Sequence, residues 1–136
     1  MSVVTRIKEV TAAAIHQLYQ VELAAGDVLV NATKPEFEGD YTVVLFAFVK
    51  QLKKSPDALG QELGQQIIST HPDLFTAYNV IKGFLNLTVA DAYWLQFING
   101  QYSNTEFGHT KPNGEKVMVE YSSPNTNKPL HLGHLR

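Results

Sequence analysis

The chain has 136 residues, a formal net charge of −2 and 44% hydrophobic residues. This composition is typical of a folded domain, and the absence of cysteine excludes disulfides and thiolate metal sites. The slight acidity argues against nucleic-acid binding by bulk charge, while the lack of a signal peptide or of ~20 consecutive apolar residues leads us to expect a soluble, cytoplasmic protein.

The first predicted element is an amphipathic helix over residues 3–25. Apolar side chains recur there every three or four positions, the spacing of one helix face: Ile7, Val10, Ala14, Leu18 and Val21. Gly26 follows as the predicted C-cap. A short strand is then predicted at 28–32 and a loop at 33–40.

A buried strand is predicted at 41–45, and the hydrophobic period changes directly after it. Phe46, Val49 and Leu52 have helical spacing, so we expect this strand to lead straight into a helix. Ser55-Pro56-Asp57 is a typical start for the next helix. That helix is predicted to bury Leu59, Leu63 and Ile67 and to end before Pro72.

Two alternating segments, 75–81 and 85–89, flank Lys82-Gly83 and predict an antiparallel hairpin. Asp91 is predicted to cap a short helix that ends at Asn99-Gly100. The order of elements predicts an α+β fold, a two-layer domain with an antiparallel sheet and packed helices over residues 1–100.

Residues 101–115 are polar and contain a Pro-Asn-Gly turn, so we predict a linker there. A strand is predicted at 117–121, where Val117, Val119 and Tyr121 alternate with Met118 and Glu120. We therefore expect a second domain to start at 116 and to be incomplete at 136.

Residues 120–136 read EYSSPNTNKPLHLGHLR and hold two of the five histidines. A strand that leads into such a segment resembles a nucleotide site at the carboxyl edge of a parallel sheet. Free amides at a helix N-terminus favour phosphate, and His131 and His134 are spaced to reach one oxygen cluster. Gly133 permits close approach to the backbone, Lys128 offers a mobile positive charge, and Glu120 is an acceptor for a cation.

Simpler explanations exist for the same residues. Two histidines at this spacing can ligate a metal, although we assign no metal here, and each short motif by itself can be only a turn with a cap. A free-standing metal- or nucleotide-binding protein is therefore an alternative. The conjunction of the motifs directly after a strand favours nucleotide chemistry.

The segment from Glu120 to Asn125, followed by Lys128-Pro129 and His131-Leu-Gly-His134, resembles the start of the catalytic domain of arginyl-tRNA synthetases. These are class I aminoacyl-tRNA synthetases with a Rossmann-type active site. The preceding hundred or so residues are similar in layout to that family's N-terminal additional domain, a small α+β module. The resemblance implies an N-terminal part of a longer, monomeric enzyme, inactive by itself.

The resemblance implies that the whole enzyme activates arginine with ATP and Mg²⁺ and transfers it to tRNA(Arg). His131 and His134 would bind the ATP phosphates and stabilise charge during adenylate formation, with Lys128 assisting. Gly133 would let the nucleotide pack closely. We expect neither nucleotide nor metal to be bound by this chain alone, and no membrane partner.

The remaining residues of the motif are assigned to the amino acid by the same resemblance. Glu120 would pair with the arginine guanidinium as a bidentate carboxylate. Asn125, together with Ser122 or Ser123, would hold the α-amino and α-carboxylate groups.

In the N-terminal module, family members use the sheet to recognise the tRNA D-loop. The matching stretch is Gly83-Phe84-Leu85-Asn86, in which Phe84 would stack on a splayed base and Asn86 would read its edge. Asn79 and Tyr78 are further candidates. The alternative is structural, with Phe84 in the core and Asn86 on an exposed strand face. A non-catalytic nucleic-acid-binding or nucleotide-binding module is accordingly the second functional hypothesis for this chain.

Overall fold

The structure is a computed structural model that describes residues 2–119, 127–129 and 131–132. It divides into two compact units, Met1–Asn104 and Thr105–Arg136. The first unit contains α1 (Val3–Tyr19), α2 (Phe46–Leu52), α3 (Pro56–Thr70) and α4 (Asp91–Gln101), with β1 (Val30–Ala32), β2 (Tyr41–Val44), β3 (Phe75–Ile81) and β4 (Phe84–Val89). The described residues of the second unit include no α-helix and no β-strand.

The four strands form one sheet in the order β1-β2-β4-β3, and every neighbouring pair is antiparallel. One buried cluster joins α1 and α3 to one face of this sheet. Its sheet side includes Val43, Leu85 and Leu87, and its α3 side includes Leu59, Leu63 and Ile67, all fully buried. The predicted α+β fold with an antiparallel sheet is therefore confirmed.

The hairpin and the start of α3 are as predicted. Lys82 and Gly83 have φ values of 49° and 80°, which a two-residue hairpin turn of mirror-image type requires. Ser55 is the N-cap of α3, and its Oγ accepts a hydrogen bond from the Ala58 N–H at 3.3 Å. Both predictions rest on interactions between residues that are close in the sequence, and the folded structure keeps those interactions.

The predicted end of α1 was wrong. The helix ends at Tyr19 and not at 25, because Gln20 takes a left-handed conformation with φ 56° and donates its N–H to the His16 carbonyl at 2.9 Å. Val21 and Leu23 still pack partly against the core from the irregular segment that follows. These residues are partly buried without being helical, so apolar spacing alone did not show where the helix ends.

The elements β1, α2 and α4 also differ from the predictions. β1 begins at Val30 and not at 28, and α2 buries Phe48, whereas Phe46 is 51% exposed. α4 continues through Asn99-Gly100, because the Tyr102 N–H bonds to the Ile98 carbonyl at 2.8 Å. The N-cap of α4 is Ala90, and Asp91 lies in its first turn without capping through its side chain.

The predicted strand at 117–121 is not found where the structure describes it. Residues 117–119 are in neither helix nor strand, and 120–121 lie outside the described residues. A strand exists only where a neighbouring strand accepts its hydrogen bonds, and none pairs with 117–119 in the described part of the chain. None of the described helices is long and apolar enough to cross a membrane.

A polar cluster connects α1 to α3 at the surface. Lys54 Nζ lies 2.6 Å from both carboxylate oxygens of Glu62, and the Tyr19 hydroxyl donates to the same carboxylate. These hydrogen bonds, that of Lys54 first, lower the pKa of Glu62 from its usual 4.5. Burial and the nearby carboxylate raise the pKa of Tyr19.

Glu62→Gln is expected to destabilise the protein slightly at neutral pH and not in acid. Because the folded-state pKa lies below the unfolded one, the contribution is present above about 4.5 and is lost as the pH falls through the folded value. Glu62 is 42% exposed, so solvent screening limits the effect to below about 1 kcal/mol. Urea unfolding at about pH 7 and about pH 3 measures it.

The matched control is Glu22→Gln, at an exposed glutamate without a hydrogen bond or ion pair in the described part of the chain. A difference between Glu62→Gln and wild type that persists unchanged in acid would contradict the assignment to this carboxylate.

Candidate nucleic-acid interface

The predicted site residues of the second unit are only partly described. Lys128 and His131 are exposed to solvent. The others lie outside the described residues: Glu120, Ser122, Ser123, Asn125, Gly133 and His134. Their roles stay predictions.

The sheet of the first unit has one face turned away from the helices, here called the open face. Strand pairing aligns Asn31 with Thr42, Thr42 with Asn86, and Asn86 with Asn79. Residues directly opposite each other in neighbouring strands point to the same face. A row of four polar side chains therefore crosses the open face, while the adjacent row, which includes Val43 and Leu85, points into the core.

Hydrogen bonds connect most of this row to the loop between β1 and β2, which covers it. The Thr42 hydroxyl donates to Asn86 Oδ1 at 2.6 Å and lies 3.0 Å from the Thr33 hydroxyl. Asn86 Nδ2 donates to Asn79 Oδ1 at 2.8 Å, and Asn79 Nδ2 donates to the Glu38 carbonyl at 2.8 Å. We call this series of hydrogen-bonded groups the relay; it runs from Thr33 through Thr42, Asn86 and Asn79 to the Glu38 carbonyl. It leaves Asn86 only 1% exposed.

A groove of about 280 Å³ lies over this part of the open face. Its lining combines aromatic, amide, hydroxyl and cationic groups: Asn31, Ala32, Lys34, Glu36, Phe37, Thr42, Ile81, Lys82, Phe84 and Asn86. Phe84 and Phe37 are 38% and 37% exposed, so both rings keep accessible surface. The groove therefore offers stacking surface and hydrogen-bonding groups together, which single-stranded nucleic acid requires.

The hairpin turn and α2 hold Phe84 in place. The Phe46 ring meets the Phe84 ring edge to face, with centroids 5.4 Å apart. A Cβ at Gly83 would lie 2.7 Å from the Phe46 ring, so the turn passes directly beneath that ring. The Leu45 N–H also bonds to the Gly83 carbonyl at 3.2 Å. Phe84 is thus presented by packed elements and is oriented before any ligand arrives.

Phe84 and Asn86 share the open face and line one groove. Neither structural alternative describes them, since Phe84 is not in the core and Asn86 is not an exposed strand residue. Asn79 joins the relay, whereas Tyr78 packs over α3, where a Cβ at Gly64 would lie 2.2 Å from its ring. Their contact with tRNA stays a prediction.

Sequence reasoning missed Thr42 and the loop residues Lys34 and Phe37. A signal for Thr42 existed, because it is a polar residue between two apolar neighbours in a strand predicted to be covered. The loop residues carried none, since only the folded loop brings them to the hairpin.

Two family profiles match this chain. Residues 5–89, which contain the groove, match the arginyl tRNA synthetase N-terminal domain. Residues 98–136 match the catalytic domain of the class I (R) tRNA synthetases.

Individual proteins agree with the profiles. An arginine–tRNA ligase of Porphyromonas gingivalis is 44% identical over all of this chain and 23% of its own length. One of Bacteroides fragilis is 48% identical over 88% of the chain and 20% of its own length. The Thermus thermophilus arginyl-tRNA synthetase structure superposes with a TM-score of 0.57 and 26% identity, over 96% of this chain and 20% of its own. The chain spans about a fifth of the length of these proteins, and it belongs to the arginyl-tRNA synthetase family.

Proposed function

We propose that this chain supplies tRNA binding to an arginine–tRNA ligase, which activates arginine with ATP and transfers it to the 3′ end of tRNA(Arg). The observation that carries the proposal is the groove, which Phe84, with 38% of its surface exposed, lines together with Asn86, Lys34 and Lys82. The matching N-terminal-domain profile supports the family context.

The groove suits a nucleotide that is unstacked from its neighbours. A base stacked on Phe84 would gain about 1–3 kcal/mol, which depends little on its identity. Lys34 and Lys82 lie at the same groove and are positioned to meet phosphate, although Glu36 reduces the local positive charge. Such a surface binds by shape and stacking more than by bulk charge, in keeping with a net charge of −2.

We propose that residues 1–100 form the tRNA D-loop recognition domain, 101–115 a linker and 116–136 the start of the catalytic domain. His131, Gly133 and His134 would bind ATP, with Lys128 at its phosphates. These contacts would orient the nucleotide and offset its charge.

The amino-acid side of the proposed catalytic site rests on charge and hydrogen-bonding type. Glu120 would bind the guanidinium of arginine, and Ser122, Ser123 and Asn125 its α-groups. No three His, Cys, Asp or Glu side chains come together among the described residues, so we assign no Mg²⁺ ligand to them. The whole enzyme is proposed to be monomeric and cytoplasmic.

Phe84→Ala is expected to weaken binding of tRNA(Arg) by this chain about tenfold, because it removes the stacking surface. Titration of fluorescently labelled tRNA(Arg) at low, constant salt measures the effect, since phosphate contacts make affinity depend on salt. The matched control is Phe97→Ala on α4, at a ring that is 36% exposed. Equal affinities of wild type and Phe84→Ala would remove Phe84 from the interface.

A further inference from the structure

Two separate segments of the chain line the groove, and each contributes one aromatic ring. Phe37 comes from the loop between β1 and β2, residues 33–40, and Phe84 comes from the β3–β4 hairpin. The exposed fractions of the two side chains are nearly equal, at 37% and 38%. Apolar side chains that are exposed singly are common on protein surfaces, but several that line one groove indicate a binding surface.

The backbone at Phe37 is fixed by hydrogen bonds within the loop. The Phe37 N–H donates to the Lys34 carbonyl at 3.0 Å, which closes a four-residue turn. Pro35 occupies the second position of this turn, where its restricted φ angle favours the turn conformation. The Thr33 N–H donates to the Asp40 carbonyl at 3.0 Å and closes the base of the loop.

Further contacts hold the loop against the sheet. The Asp40 N–H donates to the Leu87 carbonyl at 2.9 Å, and Asp40 Oδ2 accepts from the Val89 N–H at 2.8 Å. Gly39 has a φ of 115°, and a Cβ there would lie 3.1 Å from the Cβ of Asn86, so the loop backbone lies directly against β4. With the relay, these contacts order the loop before any ligand arrives. Binding at Phe37 therefore does not have to order it.

The size of the groove limits how much of a nucleic acid it can hold. Its volume is about 280 Å³, whereas clefts that enclose a small ligand measure about 300–1,000 Å³. The groove therefore has room for one base and not for two successive bases. Since every base has a flat π-face, a single base can gain stacking contact with whichever rings it reaches.

We propose that Phe37 is a second stacking residue, which contacts the same unstacked base of tRNA(Arg) as Phe84. This inference rests on the proposed tRNA-binding function of the groove. It assigns part of that binding to the loop between β1 and β2, and it makes the contributions of the two rings interdependent.

Phe37→Ala is expected to weaken binding of tRNA(Arg) by this chain about five- to tenfold, because one stacking surface is lost. Phe37→Tyr keeps an aromatic ring and is expected to bind as wild type does. Phe37→Leu keeps an apolar side chain without a π-face and is expected to bind as weakly as Phe37→Ala. Titration of fluorescently labelled tRNA(Arg) at low, constant salt measures all three, with Phe97→Ala as the control at a comparably exposed ring.

A double substitution tests whether both rings contact one base. Residues that share a contact have coupled effects, whereas independent sites have additive free energies. The double variant of Phe37→Ala and Phe84→Ala is therefore expected to lose less affinity than the product of the two single losses.

Transcripts of tRNA(Arg) that carry one abasic nucleotide in the D-loop provide a second measurement. The position used is the one at which loss of the base weakens binding by wild type but not by Phe84→Ala. Phe37→Ala is expected to bind that transcript as wild type does, because the base on which its ring would stack is absent.

The inference is wrong if Phe37→Ala binds intact tRNA(Arg) as wild type does, or if Phe37→Leu does so, since the loop would then need only an apolar side chain. Single losses that multiply in the double variant, or the lack of any such abasic position, would also overturn it. Circular dichroism checks the folding of each variant, and should Phe37→Ala fail to fold, Phe37→Leu and Phe37→Tyr decide.

Failure of the proposed function gives a different result. Phe84→Ala would then bind tRNA(Arg) as wild type does. Weaker binding by Phe84→Ala together with unchanged binding by Phe37→Ala would overturn this inference alone and leave the proposed function in place.

Discussion

Gly64→Ala is expected to lower the free energy of unfolding by about 2–3 kcal/mol, because α3 crosses β3 too closely to admit another methyl group. A Cβ at Gly64 would lie 2.2 Å from Cδ2 and 2.7 Å from Cγ of Tyr78. These atoms are at the base of a ring attached to a strand, so the helix and sheet must separate. The better helix propensity of alanine, about 1 kcal/mol, offsets only part of the cost. Urea unfolding followed by circular dichroism measures the difference.

Gly100→Ala is the matched control. Gly100 is also helical, in α4, but nothing lies within 4 Å of the position of its Cβ. The same substitution there is expected to leave stability unchanged or to raise it by up to about 1 kcal/mol. If both variants had equal stability, close packing at Gly64 would not be what the glycine provides.

Leu63→Ala is expected to cost about 2–5 kcal/mol, through lost burial and the cavity that remains. Leu63 is fully buried in the cluster that joins α1, α3 and the sheet. The same unfolding experiment measures the loss, because the helix signal falls as the whole unit unfolds. A loss below about 0.5 kcal/mol would mean that this position is not part of the core.

Leu95→Ala provides the comparison for Leu63→Ala. Leu95 lies in α4 and is 62% exposed, so its truncation is expected to change stability by no more than about 0.5 kcal/mol. The pair isolates burial, since both residues are helical leucines and both are changed to alanine.

The two faces of the sheet have different roles, since one packs against the helices and the other faces the groove. Val43, Leu85 and Leu87 secure the sheet to the helices, while Thr42, Asn79 and Asn86 form the floor and support of the groove. Alternation along each strand assigns neighbouring residues to opposite faces. Core substitutions should therefore affect stability, and substitution of the exposed ring of Phe84 should affect binding.

Local chemistry explains which parts of the fold were predictable. The Lys82-Gly83 turn, the Ser55 cap and the buried stripe on α3 depend on residues a few positions apart, and all three were predicted. The end of α1 was not, because Gln20 is an ordinary residue that takes a left-handed conformation. The apolar residues after Gln20 pack partly against the core without being helical.

The sequence by itself determined the family resemblance, the hairpin and the pairing of Phe84 with Asn86 on one strand face, because these depend on short motifs and on alternation. Only the tertiary structure decided that Thr42, Asn79 and the Glu38 carbonyl surround the Asn86 amide. Thr42 and Asn86 are 44 positions apart, and the strand order that makes them neighbours arises from packing of the whole sheet. Residues distant in the chain acquire a shared hydrogen bond only when the fold brings their strands together.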